Sequence, residues 1–144
     1  MMPNIIYQRL VNDSQLETLL GGSGRIHESQ SVDKRVSDNG FFVLISFEET
    51  LLSAPSKLSR GPRTITISVH RPWEIDRDYD SITAILNRID ELILPIEDES
   101  GTDGIRVTSI RRGSPARSAN HSDEGYKTAT RWATYGVLYQ EYAA

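Results

Sequence analysis

The segment from Arg63 to Pro95 constrains the fold of this chain more than any other. In Thr64-Ile65-Thr66-Ile67-Ser68-Val69-His70, the residues Ile65, Ile67 and Val69 fall on one face and Thr64, Thr66, Ser68 and His70 on the other. That alternation is the period of a half-exposed strand. Beyond Pro72 the pattern changes to Ile82, Ile85, Leu86, Ile89 and Ile93, the spacing of one amphipathic helix over about Asp78 to Leu94. Asp78 and Asp80 lie near its positive N-terminal end, where each carboxylate is favourable by roughly 0.3–1 kcal/mol. Pro95 stops it. A strand and a helix with one apolar face each need cover, so this unit defines the core of an α+β domain.

The flanking segments extend the pattern. Pro3 to Asn12 reads as a helix with Ile6 and Leu10 on one face and Pro3 at its first position. Asp13 or Ser14 caps a continuation carrying Leu16, Leu19 and Leu20, and Gly21-Gly22-Ser23-Gly24 halts it. Arg25 to Glu28 is a short strand, and Ser29 to Gly40 a polar loop. Phe41 to Glu48 is aromatic and β-branched, apolar on both faces at its start, as a strand buried on both sides would be. Leu51 to Pro62 reads as a loop, Glu97 to Gly104 as an acidic turn, Ile105 to Arg112 as a strand, and Gly113 to Gly125 as a long polar loop. Tyr126 to Tyr142 is a long, bent closing strand in which Gly136 marks a bulge or a close approach. The expectation is one domain over 1–144, with a mostly antiparallel sheet of four to five strands and helices packed on one face.

Composition excludes several classes. The net charge of −4 gives no general pull toward nucleic acid or anionic membrane. No cysteine is present, so disulfides and thiolate metal sites are ruled out. The longest apolar run, Phe41 to Ile45, is far short of the roughly 20 residues that span a bilayer. The start has no basic segment followed by an apolar run, so a soluble protein made in a reducing cytoplasm is expected.

A search for chemistry returns little. The glycine run lacks the preceding strand and the Gly-Lys-Ser/Thr ending of a phosphate loop, so it reads as a turn. Glu97 to Gly104 lacks the acidic alternation and closing glutamate of a calcium loop. His27, His70 and His121 are scattered, without metal-ligand spacing, and His70 reads as a surface or interface residue. No catalytic, metal or cofactor motif is read from these residues.

Charge and loose apolar residues carry more. Arg71 to Asp103 holds ten acids against three bases, and Gly104 to His121 holds Arg106, Arg111, Arg112 and Arg117 with no acid. One reading is an unevenly charged surface. A second is a two-sided module whose copies or partners meet acidic face to basic face, which fixes orientation more than it adds affinity. A third is a nucleic-acid patch limited to phosphate contact, since no aromatics are interleaved for base stacking. Leu51, Leu52 and Leu58 either fold back on the core or are anchors buried by a neighbouring subunit.

Taken together, the element order resembles that of the tail terminator, or tail-completion, proteins of long-tailed bacteriophages. The likeness runs from the helical segment into Leu19-Leu20-Gly21 and Gly24-Arg25-Ile26-His27. It continues through the strands Phe41 to Phe47 and Thr64 to Val69 and the helix Asp78 to Leu94, to the closing strands ending in Trp132 to Tyr142. The loops at 50–62 and 113–125 are longer than in the shorter members. The resemblance implies a structural virion protein of the tail or neck, made in the host bacterial cytoplasm. Such proteins are not enzymes, use no cofactor, and form a homohexameric ring on the head-proximal end of the tail tube. The ring stops tube polymerisation, gives the head–tail connector a docking surface, and lets double-stranded DNA pass. Arg106, Arg111, Arg112, Arg117, Leu51, Leu52 and Leu58 are interface candidates from the charge and loop readings above, not from the resemblance. Two other classes stay open: another neck or head-completion protein, and a small α+β ligand-binding domain or enzyme.

Overall fold

A computed structural model describes residues 3–28, 40–48, 60–72, 79–123 and 128–141. Its helices are α1 (Asn4–Val11), α2 (Ser14–Leu20) and α3 (Tyr79–Ile93), and its strands β1 (Ile26–Glu28), β2 (Phe42–Glu48), β3 (Arg60–Pro72), β4 (Glu97–Ser100), β5 (Ile105–Arg117), β6 (His121–Asp123) and β7 (Thr128–Glu141). One sheet runs in the order β1-β2-β3-β7-β5-β4, and β6 adds to β7 beyond the end of β5. β1 pairs parallel to β2 (Ile26↔Val43), and every other pairing is antiparallel. The sheet is therefore mixed and has seven strands among the described residues, not the four to five expected.

The difference comes from polar strands. Glu97 to Ser100 was expected as a turn, yet it pairs with β5 through Glu97↔Ser109 and Ser100↔Arg106. Much of the expected 113–125 loop is strand, because β5 continues through Arg117 and β6 covers His121–Asp123. β3 likewise begins at Arg60, inside the expected 51–62 loop, and pairs with β7 from Arg60↔Gln140 to Pro72↔Thr128. These residues carry no apolar alternation, so backbone pairing with a neighbour decided their state where propensity did not.

The core lies where the helices meet the sheet. Ile82, Ile85, Leu86, Ile89 and Ile93 of α3 are fully buried, together with Ile65, Ile67 and Val69 of β3 and Tyr135 and Val137 of β7. Full burial of each such side chain contributes about 1.5–3 kcal/mol as an upper value. β2 is apolar on both faces as expected, with Phe42, Val43, Leu44 and Ile45 all buried. His70 departs from expectation. It is buried, stacks on Phe42 with centroids 4.9 Å apart, and holds the Thr128 and Ser68 hydroxyls at 2.8 and 2.9 Å. Its ring sits on the polar face of β3, and that face is covered at this end.

The two short helices are fastened by side chains from elsewhere. Pro3 occupies the N-cap of α1 and has no side-chain oxygen to offer. Asp103 supplies one from the β4–β5 turn, its Oδ2 accepting from the Asn4 amide at 2.6 Å. Asp13 caps α2 by accepting from the Leu16 amide at 2.8 Å. The same carboxylate receives Arg88 of α3 on both oxygens, Nε at 2.9 Å and Nη2 at 2.7 Å. Gly21 ends α2 in the left-handed region at φ 88°.

Gly136 proves open: a Cβ added there meets nothing within 4 Å. The irregularities fall on β5, between Val107 and Ser109 and between Arg112 and Arg117. The close approach is Gly113, where a Cβ would lie 2.9 Å from the Thr134 carbonyl oxygen. Gly113→Ala is expected to destabilise by about 1–3 kcal/mol and Gly136→Ala to change stability by under about 0.5 kcal/mol, read by urea denaturation. The Arg88 guanidinium, then the Leu16 amide, holds the Asp13 carboxyl below its ordinary value of 3.8. A depressed folded value means the contribution is complete above that pH and lost as pH falls through the folded value. Asp13→Asn keeps a capping oxygen but loses the ion pair. Its melting temperature should sit a few degrees below the wild type at pH 7, and the gap should close as pH drops below about 4.

Candidate functional site

The apolar stripe of α3 has one polar interruption. Asp90 stands four residues after Leu86, at a buried position, and is 7% exposed. Tyr135, at the centre of β7, donates its hydroxyl to Asp90 Oδ1. Arg117, from the end of β5, donates to Oδ2 at 2.5 Å and to the Asn87 amide oxygen at 3.1 Å. Arg112 reaches the same Oδ2 at 3.4 Å, with 62% of its side chain exposed. Burial first, then the bond to Asp90, drives the Tyr135 phenol far above its usual value, so it stays a donor. Asn87, Asp90, Arg112, Ala116, Arg117 and Tyr135 line a cleft of about 190 Å³.

The four interface arginines thus separate. Arg112 and Arg117 converge on Asp90. Arg106 lies 3.6 Å from Asp98 across the β4–β5 pair. Arg111 is exposed and opposes Gly136 on the sheet face away from α3. Part of the acidic 71–103 region therefore meets the basic 104–121 region within one chain. Leu51, Leu52 and Leu58 lie outside the described residues. Leu138, on the same face as Arg111, is 42% exposed.

The histidines do not converge. His27, His70 and His121 sit on β1, β3 and β6, and His121 stacks on Trp132 at 4.6 Å. Among the described residues no three His, Asp or Glu side chains group to hold a metal, and no helix is long and apolar enough to cross a membrane. A second cleft, of about 230 Å³, lies between α1, α2 and β1, lined by Leu10, Leu20 and Ile26 and also by Glu17 and Arg25.

The fold has a solved counterpart. A chain in the virion of a native gene transfer agent particle superposes with a TM-score of 0.69 at 12% identity, over 94% of this chain and 91% of that one. No protein-family model matches the sequence, and no curated protein resembles it. At this identity the likeness is one of fold.

Sequence reasoning counted Asp90 only as one acid in a charged stretch. Its helical phase with Ile82 and Leu86 was the available signal, because a carboxylate within a buried stripe must find donors. Tyr135→Phe should therefore cost about 1–3 kcal/mol, measured by chemical denaturation, since it strips one donor from a buried carboxylate.

Proposed function

We propose that this chain is a structural virion protein, a tail terminator that forms a ring on the head-proximal end of a tail tube. The ring ends tube growth, offers the head connector a docking surface and leaves a passage for DNA. The observation that carries this reading is the fold match over nearly the whole length of both chains, the counterpart being a virion component. The element order that resembles tail terminators points the same way.

The sheet supports an assembly role. Its end strands, β1 and β4, each pair on one side only among the described residues. β4 presents Glu97, Asp98 and Glu99, and Asp98 has φ 49°. Charge and an irregular backbone discourage strand addition at that edge. Contacts between copies at that edge then go through side chains, and a heterologous contact that closes by rotation gives a ring. Arg111 and Arg112 are the outward basic groups for such contacts.

A neighbouring neck or head-completion protein fits the same fold likeness. The two readings part on tube binding. Purified chain added to polymerising tail-tube protein should cap the tubes, shorten them, and appear by negative-stain microscopy as a ring at one end. Tubes of unchanged length without end density would reject the terminator reading. Density found only on the portal side would favour the neck alternative.

A further inference from the structure

We propose that the cleft over Asp90 is a socket for a carboxylate, and that Glu17 of a second copy fills it. This rests on the ring reading and gives it one specific contact.

The cleft has donors to spare. Two guanidinium groups, Arg112 and Arg117, share one internal carboxylate, Asp90, so the cleft is net positive. Asp90 is already served by Tyr135 and by Arg117. Arg112 adds only a 3.4 Å contact and is mostly exposed, and among the described residues it has no other ion pair. A guanidinium carries five N–H donors in a planar fork that matches a carboxylate. Its underused donors sit at a recess large enough for a side chain.

The occupant is a protein acid and not a nucleic-acid phosphate. A recess between α3 and β5 admits a side chain more readily than the backbone of a duplex. Asp90 and the chain's net charge of −4 both oppose a polyanion. A second copy is the acid's source because a closed ring needs two different patches on each subunit. The cleft lies toward the β5–β4 end of the strand order. A heterologous contact takes its acid from a different part of the neighbouring copy's surface.

Glu17 meets that requirement. It is exposed on α2 and lines the second cleft beside Arg25 and Ile26, at the start of β1. Among the described side chains most other acids are committed: Glu28 of β1 is already engaged, and Asp103 accepts from the Asn4 amide. Asp13 and Glu91 hold Arg88, Asp98 holds Arg106 and Glu99 holds Arg9. Glu97 is on β4, at the same end as the cleft, and Asp80 lies in the first turn of α3. Glu17 has no ion pair among the described residues.

The test is charge exchange in the full chain, read by sedimentation velocity at about 0.15 M salt. Wild type should associate. Arg112→Glu and Glu17→Arg should each weaken association at least about tenfold, and the double variant should recover most of it. Arg112→Gln removes the charge without adding a second carboxylate beside Asp90, so it covers the case in which Arg112→Glu does not fold. The chain has no cysteine, which allows a second readout. Ser14→Cys with Ala116→Cys, treated with a short bis-maleimide, should give a ladder running past the dimer, as head-to-tail contacts do. Association that ignores both single charge reversals, a double variant that stays dissociated, or absence of that ladder overturns the socket while leaving the ring reading in place. A wild type that never self-associates, alone or on tube ends, overturns both.

Discussion

The structure depends on how α3 is held against β3 and β7. Five of its Ile and Leu side chains are completely buried, and that burial supplies most of what keeps helix and sheet together. Apolar contact is non-directional, so it does not fix where along the sheet the helix stops sliding. Asp90 does. Its two oxygens receive Tyr135 from the sheet centre and Arg117 from the end of β5, and such charge-assisted bonds are short-ranged and directional. On the far side of α3, Arg88 performs the same office for α2 through the capping carboxylate of Asp13. One helix thus sets the register of the sheet beneath it and of the helices beside it.

Much of this was legible in the chain. The alternation of Ile65, Ile67 and Val69, the helical spacing of Ile82 to Ile93 and the glycine after Leu20 each report on local backbone preference plus burial of one face. They gave α3 and the end of α2 nearly as observed, and the middle of β3, which runs on from Arg60 to Pro72. The illegible parts share a physical cause. β4, β6 and the second half of β5 are polar strands whose hydrogen bonds depend on which segment lies alongside, and no local pattern encodes that. His70 misled for a related reason: alternation assigns a side chain to a face but does not say whether that face is covered. Gly113 and Gly136 look alike in sequence. Only the approach of Thr134 tells them apart.

The charge asymmetry was visible from composition, and its use was not. Opposite charges 22 and 27 residues apart meet at buried Asp90, and Asp98 meets Arg106 across the β4–β5 pair at the surface. Among the described residues, Arg111, the exposed reach of Arg112 and Glu17 on α2 are turned outward. A fold by itself does not specify a role. Here the near full-length fold match to a virion chain and the charged, irregular β4 edge are the observations behind the tiling role proposed above.

Cryo-electron microscopy of the virion carrying this chain tests that account most directly. The account predicts a closed ring of its copies between tail tube and connector, with the Asp90 cleft of each subunit covered by α2 of the next. A particle in which the chain is absent, or sits as isolated copies with both sheet ends facing solvent, would contradict it.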